Sequence, residues 1–113
     1  MHEVALAQAV WRQVAAEMDR HKGRSLLAVR LLVGKWSGAD PESLEFALKI
    51  VAGESPWPKA AFQIRSEPLG LECRKCGRSF EPDELNLACP GCKSPDVEVV
   101  KGKDVYLESL EIE

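Results

Sequence analysis

Two groups of residues in this 113-residue chain are suited to metal chemistry. The first is Cys73-x-x-Cys76, then twelve residues, then Cys89-x-x-Cys92, which uses all four cysteines of the chain. A two-residue gap lets both thiolates of a pair face one ion. The small residues in CRKCG and CPGC let backbone amides turn toward the sulfurs. Two such knuckles supply four sulfurs in a tetrahedron, the donor set of a closed structural zinc site. Two disulfides, or iron in a rubredoxin-like site, would use the same four residues. A reducing compartment disfavours the disulfides, and the spacing does not separate zinc from iron. A closed four-thiolate site has no open position for a substrate, so its task is folding rather than chemistry. Metal binding of this kind is worth on the order of 10–16 kcal/mol, enough to order a segment with few large apolar residues.

The second group is the opening MHE. A histidine at position 2 disfavours removal of the initiator methionine, which leaves the Met1 α-amine beside His2. The amine and the His2 amide nitrogen close a five-membered chelate ring. That amide and the His2 imidazole close a six-membered one. Three nitrogens in a plane suit nickel(II) or copper(II), with the Glu3 amide or carboxylate as a fourth donor. The ordinary fate of a histidine near a terminus is to be solvated, so the motif needs support from the rest of the chain. His21, the other histidine, reads as a helix-end residue favoured by the helix dipole.

The elements that must position these groups are legible in the hydrophobic pattern. Residues 4–21 place Leu6, Ala7, Val10, Trp11, Val14 and Met18 on one helical face, with Gly23 as the stop. Residues 25–33 alternate as a strand, with Leu27, Val29, Leu31 and Val33 on one face. A second helix starts at the N-cap Asp40, with Pro41 at its first position and Glu42 in its first turn. It buries Leu44, Ala47, Leu48 and Val51 and ends at Gly53. The prolines of ESPWP exclude regular structure, and residues 60–66 alternate as a second strand. From about 71 to 96 come the cysteines, glycines and prolines. Two last strands, VEVV and VYLESLEIE, are joined by a turn at Lys101–Asp104. In the final strand Val105 and Leu107 share one parity, and Leu110 and Ile112 the other, which predicts a bulge near Ser109.

Composition narrows the function. With 45% hydrophobic and 29% charged residues the chain reads as an ordinary folded domain. A net charge of −3 argues against nucleic acid as a partner. Within the cysteine segment Arg74, Lys75, Arg78 and Lys93 are balanced by Glu72, Glu81, Asp83 and Glu84, and four thiolates on one divalent ion add two negative charges. No apolar run is long enough to span a membrane, and no signal peptide is visible, so cytoplasm is the expected compartment. No nucleophile, acid–base pair or phosphate loop stands in a catalytic arrangement. The residues therefore give no sign of an enzyme.

MHE, VGKWSGADPESLEFAL at 33–48, the two knuckles and the closing GKDVYLESLEIE occur in this order. Together they resemble the HypA/HybF family of hydrogenase maturation factors, over essentially the whole chain. The resemblance implies a nickel metallochaperone that helps deliver nickel to the large subunit of [NiFe] hydrogenase, and in some members serves urease. It implies a nickel-handling GTPase of the same pathway as partner. It puts nickel at Met1, His2 and Glu3 and structural zinc at Cys73, Cys76, Cys89 and Cys92. The fold it implies is α+β: two helices on a small, mainly antiparallel sheet, with a zinc-ribbon-like module inserted before the last strand. The boundaries that follow are 1–68 plus 104–113 for the nickel-binding domain and 69–103 for the zinc domain. Monomer and homodimer are both compatible with it. The competing reading is a zinc-ribbon interaction module in which His2 is incidental, and the charge balance weighs against it.

Overall fold

The structure, a computed structural model, describes residues 3–82 and 86–113; Met1, His2 and residues 83–85 lie outside the described residues. The order of elements is α1 (Glu3–Asp19), β1 (Leu26–Gly34), α2 (Pro41–Gly53), β2 (Ala61–Glu67), β3 (Gly70–Cys73), β4 (Ser79–Phe80), β5 (Val97–Lys101) and β6 (Val105–Ile112). Two three-stranded sheets result, ordered β2-β1-β6 and β4-β3-β5. The radius of gyration is 17.4 Å and the longest extent 54 Å. A compact chain of this length has a radius of gyration of about 13 Å, so the molecule is elongated.

The α+β class holds, with two helices against the first sheet. Of the four strand pairs three are antiparallel; β1 and β2 run parallel. That exception has a simple cause. β1, α2 and β2 form a strand–helix–strand unit, and a helix that crosses back over the sheet delivers its second strand parallel to the first.

Each helix folds as its sequence dictates. In α1, Ala7, Val10, Val14 and Met18 are buried at helical spacing. The helix ends at Asp19, two residues short of the expected His21; residues 20–23 form a turn in which Gly23 has φ +80°. In α2 the Asp40 carboxylate accepts from the Ser43 amide at 3.2 Å, and Pro41 begins the helix. Leu44, Ala47, Leu48 and Ala52 are buried and Val51 is half-buried. Trp57, in the proline loop, is half-buried against Trp11 with ring centroids 6.5 Å apart. The core lies between these helices and Val29, Leu31 and Val33 of β1, with Phe62 of β2.

Two bulges set the register of the central pair. Arg30 faces Ser109 and Leu31 faces Leu107, so Glu108 is the extra residue of the bulge expected near Ser109. A second lies at Leu27, between the pairs Leu26–Ile112 and Ala28–Glu111. It corrects the assignment of Leu27 to the buried face. Leu26 is in the core instead, and Leu27 is exposed.

The chain crosses between the sheets twice, at Pro68–Leu69 and at Gly102–Asp104. The end of β1 is packed against both crossings. The Gly34 amide donates to Asp104 O at 2.9 Å, that of Lys35 to Glu67 O at 3.0 Å, and that of Trp36 to Gly102 O at 2.8 Å. The Glu67 carboxylate accepts from the Gly102 amide at 2.9 Å. Gly102 has φ +89°, and a Cβ there would meet Pro68 O at 2.5 Å and Leu69 Cα at 2.6 Å. The crossing is backbone on backbone, which only glycine permits.

Candidate metal centres

The two knuckles are built by the same hydrogen bonds in duplicate. Cys73 Sγ accepts from the Cys76 amide and Cys89 Sγ from the Cys92 amide, both at 3.5 Å. The Cys73 carbonyl accepts from the Gly77 amide at 2.9 Å, and the Cys89 carbonyl from the Lys93 amide at 2.8 Å. The first cysteine of each knuckle donates its own amide five residues on, to Arg78 O at 2.9 Å or Ser94 O at 3.0 Å. The fourth residue after that cysteine must take a left-handed conformation. Gly77 (φ +76°) does so at no steric cost; Lys93 (φ 63°) does not. β3 carries Cys73 into the centre, with Leu71 buried beside it on the same strand.

The four sulfurs lie within 4.8 Å of one another. The Cys73–Cys92 and Cys76–Cys89 pairs are 3.5 and 3.6 Å apart. A tetrahedral ion at about 2.3 Å from each sulfur holds them about 3.8 Å apart. The donor set therefore fits one four-coordinate ion, and all four sequence-predicted cysteines contribute. Cys73 and Cys89 are buried, Cys76 and Cys92 exposed. The cysteines are free thiols, not disulfides.

Backbone amides polarise the two halves of the centre differently. The Cys92 amide draws the Cys89 thiol down to about 6, and the Cys76 amide lowers that of Cys73. At Cys76 the Arg78 amide pulls the same way, but the Cys89 sulfur and burial outweigh it and hold the thiol at about 11. Cys92 is raised in the same manner: the Ser94 amide pulls down, and Cys73 and burial push up. In each close sulfur pair the first cysteine of one knuckle is thus the more acidic thiol and its partner the less acidic one. The Arg78 side chain crosses from the first knuckle to the second, where a Cβ on Gly91 would lie 3.0 Å from its Nη1 and 3.7 Å from Cys89 Sγ. It brings a positive charge beside a centre that carries two negative charges when loaded.

Of the second predicted group, Met1 and His2 lie outside the described residues. Glu3 is the first residue of α1, and its Oε1 accepts from the Asp40 amide at 3.3 Å. The start of the chain is thereby set against the N-terminus of α2. Asp40, read in the sequence only as a helix cap, is brought beside Glu3. No local signal could reveal that contact between residues 37 apart. The Asp40 carboxyl is lowered by its hydrogen bonds to Ser43, first the hydroxyl and then the amide. His21 Nε2, in the turn that follows α1, stands 3.8 Å from Glu17 in the last turn of that helix, remote in sequence from the other metal-suited residues. No helix among the described residues is long and apolar enough to cross a membrane.

Fold and site define a small α+β protein with a four-sulfur metal centre. Residues 1–112 match the HypA family model, described as hydrogenase/urease nickel incorporation, metallochaperone. The hydrogenase maturation factor HypA of Solidesulfovibrio magneticus is 35% identical over the whole of both chains. That of Aquifex aeolicus is 32% identical over all of this chain and 98% of its own. The solution structure of the nickel metallochaperone HypA from Helicobacter pylori superposes with a TM-score of 0.75 at 26% identity, covering 99% of this chain and 97% of that one. The chain belongs to the HypA family of nickel metallochaperones, which act in hydrogenase maturation.

Proposed function

We propose that this protein carries Ni(II) at its N-terminus and helps deliver it to the large subunit of [NiFe] hydrogenase, with urease as a further client class. The ligands are the Met1 α-amine, the His2 amide and imidazole, and Glu3. The contact that supports this reading is Glu3 on the Asp40 amide. It ties the residue after His2 to the start of α2, so the ligand set has one end fixed to the fold. Met1 and His2 fill three corners of the plane, and the fourth, taken by Glu3, is the position an acceptor can displace.

Cys73, Cys76, Cys89 and Cys92 hold structural zinc, which supplies folding energy and no chemistry of its own. Residues 69–103 form the zinc domain and residues 1–68 plus 104–113 the nickel-binding domain. The protein works in the cytoplasm with the nickel-handling GTPase of the maturation pathway, and its role is that of a carrier rather than a catalyst.

The test is metal analysis of protein with its native N-terminus, followed by nickel titration of wild type and His2→Ala. The reading requires one zinc per chain in both proteins and loss of tight nickel binding in the variant. Undiminished nickel affinity in His2→Ala would refute it.

A further inference from the structure

The outer face of α2 carries a row that the core does not use. Glu42, Phe46 and Ile50 follow one another at steps of four residues and form a ridge along the helix, and Glu54 continues the row just past its end at Gly53. Its order is acid, apolar, apolar, acid. Phe46 is 68% exposed and Ile50 54%; Val4, facing them from α1, is 61% exposed. All three line one open groove of about 1210 Å³ between the start of α1 and the length of α2. Apolar side chains gathered and rimmed by polar ones mark an interaction site.

The rim settles what the groove can receive. Glu3, Asp40, Glu42, Glu45 and Glu54 line it, against a single base among the described residues, Lys49, which stands 3.7 Å from Glu45. The groove thus carries more net negative charge than the whole chain, whose net charge is −3. A second copy of the same face would set acid against acid, and an anionic membrane or nucleic acid would be repelled. The groove is open along its length, unlike the enclosing pockets that bury most of a small molecule's surface.

We propose that this groove docks a helical segment of a protein partner bearing two apolar residues one turn apart between basic residues. The order cation, apolar, apolar, cation matches the ridge of α2 position by position. Glu42 to Glu54 span about 18 Å, so three to four turns of partner helix cover it. The apolar pair supplies the contact area and the flanking cations set the register. The proposal goes beyond nickel carriage and holds for the nickel-free protein.

The probe is a blocked 14-residue amphipathic peptide of leucine and lysine, with a matched peptide carrying glutamate for every lysine. Both are titrated into the zinc-loaded, nickel-free full chain, with amide NMR shifts and fluorescence anisotropy as readouts. The lysine peptide should bind, shift residues 4–8 and 42–54, and weaken as salt rises. Phe46→Gln with Ile50→Gln should lower its affinity by roughly tenfold or more. Both side chains are exposed, so the variant should keep its fold, as judged by circular dichroism. The glutamate peptide should not bind. Absent binding, shifts spread over other surfaces, or an unchanged affinity in the double variant would overturn the assignment.

Discussion

Replacing Gly102 by alanine tests how the two sheets are joined. Two penalties act at that position and can be separated. The first is the backbone: a residue with a Cβ pays about 1–2 kcal/mol to hold a left-handed conformation, and Gly102 sits at φ +89°. The second is contact. The new Cβ would lie 2.5 Å from Pro68 O and 2.6 Å from Leu69 Cα, both backbone atoms that cannot rotate away. Overpacking of this kind costs about 1–3 kcal/mol. Together the loss should be about 2–5 kcal/mol, a large part of the stability of a domain this size. Gly38→Ala is the control, because Gly38 has φ +78° and nothing within 4 Å of its Cβ position. It should lose only the backbone part. Urea unfolding of the zinc-loaded proteins, followed by tryptophan fluorescence, measures both. If Gly102→Ala unfolds at the same urea concentration as Gly38→Ala, the packed crossing at Pro68–Leu69 contributes nothing and the argument fails.

Three further outcomes follow from the structure. Lys93→Gly should raise stability by about 0.5–1 kcal/mol in a chelator-challenged melt, since Lys93 holds φ 63° where its twin Gly77 is free of strain; a loss would show that the lysine side chain contributes more than the strain. The Asp40 carboxyl is held below its ordinary 3.8 in the folded protein, so the stability it adds is complete above that value and lost as pH falls through the lowered one. The difference in thermal midpoint between wild type and Asp40→Asn should therefore be constant from neutral pH downward and shrink only in that acid range; a difference independent of pH throughout would contradict this. Stripping the metal with a chelator should disorder the cysteine segment and leave α1 and α2 folded, because the four-thiolate centre supplies the folding energy there while each helix buries an apolar face of its own; unchanged amide dispersion in the cysteine segment would contradict this.

Local patterns carried most of what was legible in the sequence. The Asp40–Pro41 start of α2, the buried faces of both helices and the cysteine spacing are each written within a few residues, and each is found in place. The parity change in VYLESLEIE also marked a true bulge, at Glu108. The misplacement of Leu27 has the converse cause. Its bulge leaves no parity signal, because Leu26 and Leu27 are the same residue type. The short β3 and β4 leave no periodic pattern, since Leu71 and Phe80 are isolated apolar residues among turn formers and gain meaning only by facing each other. The parallel pairing of β1 with β2 was available from the strand–helix–strand order. Long-range contacts leave no local trace: Glu3 on Asp40, Trp57 on Trp11 and the backbone crossing at Gly102 all depend on how finished elements meet.

The central claim, that nickel is bound through the Met1 amine together with His2, is tested most directly by nickel titration of protein whose N-terminus has been acetylated. Acetylation removes the first donor of the five-membered ring and leaves His2, Glu3 and the four cysteines unchanged. The account predicts loss of tight nickel binding with zinc content unaltered. Nickel bound as tightly by the acetylated protein as by the native one would contradict it.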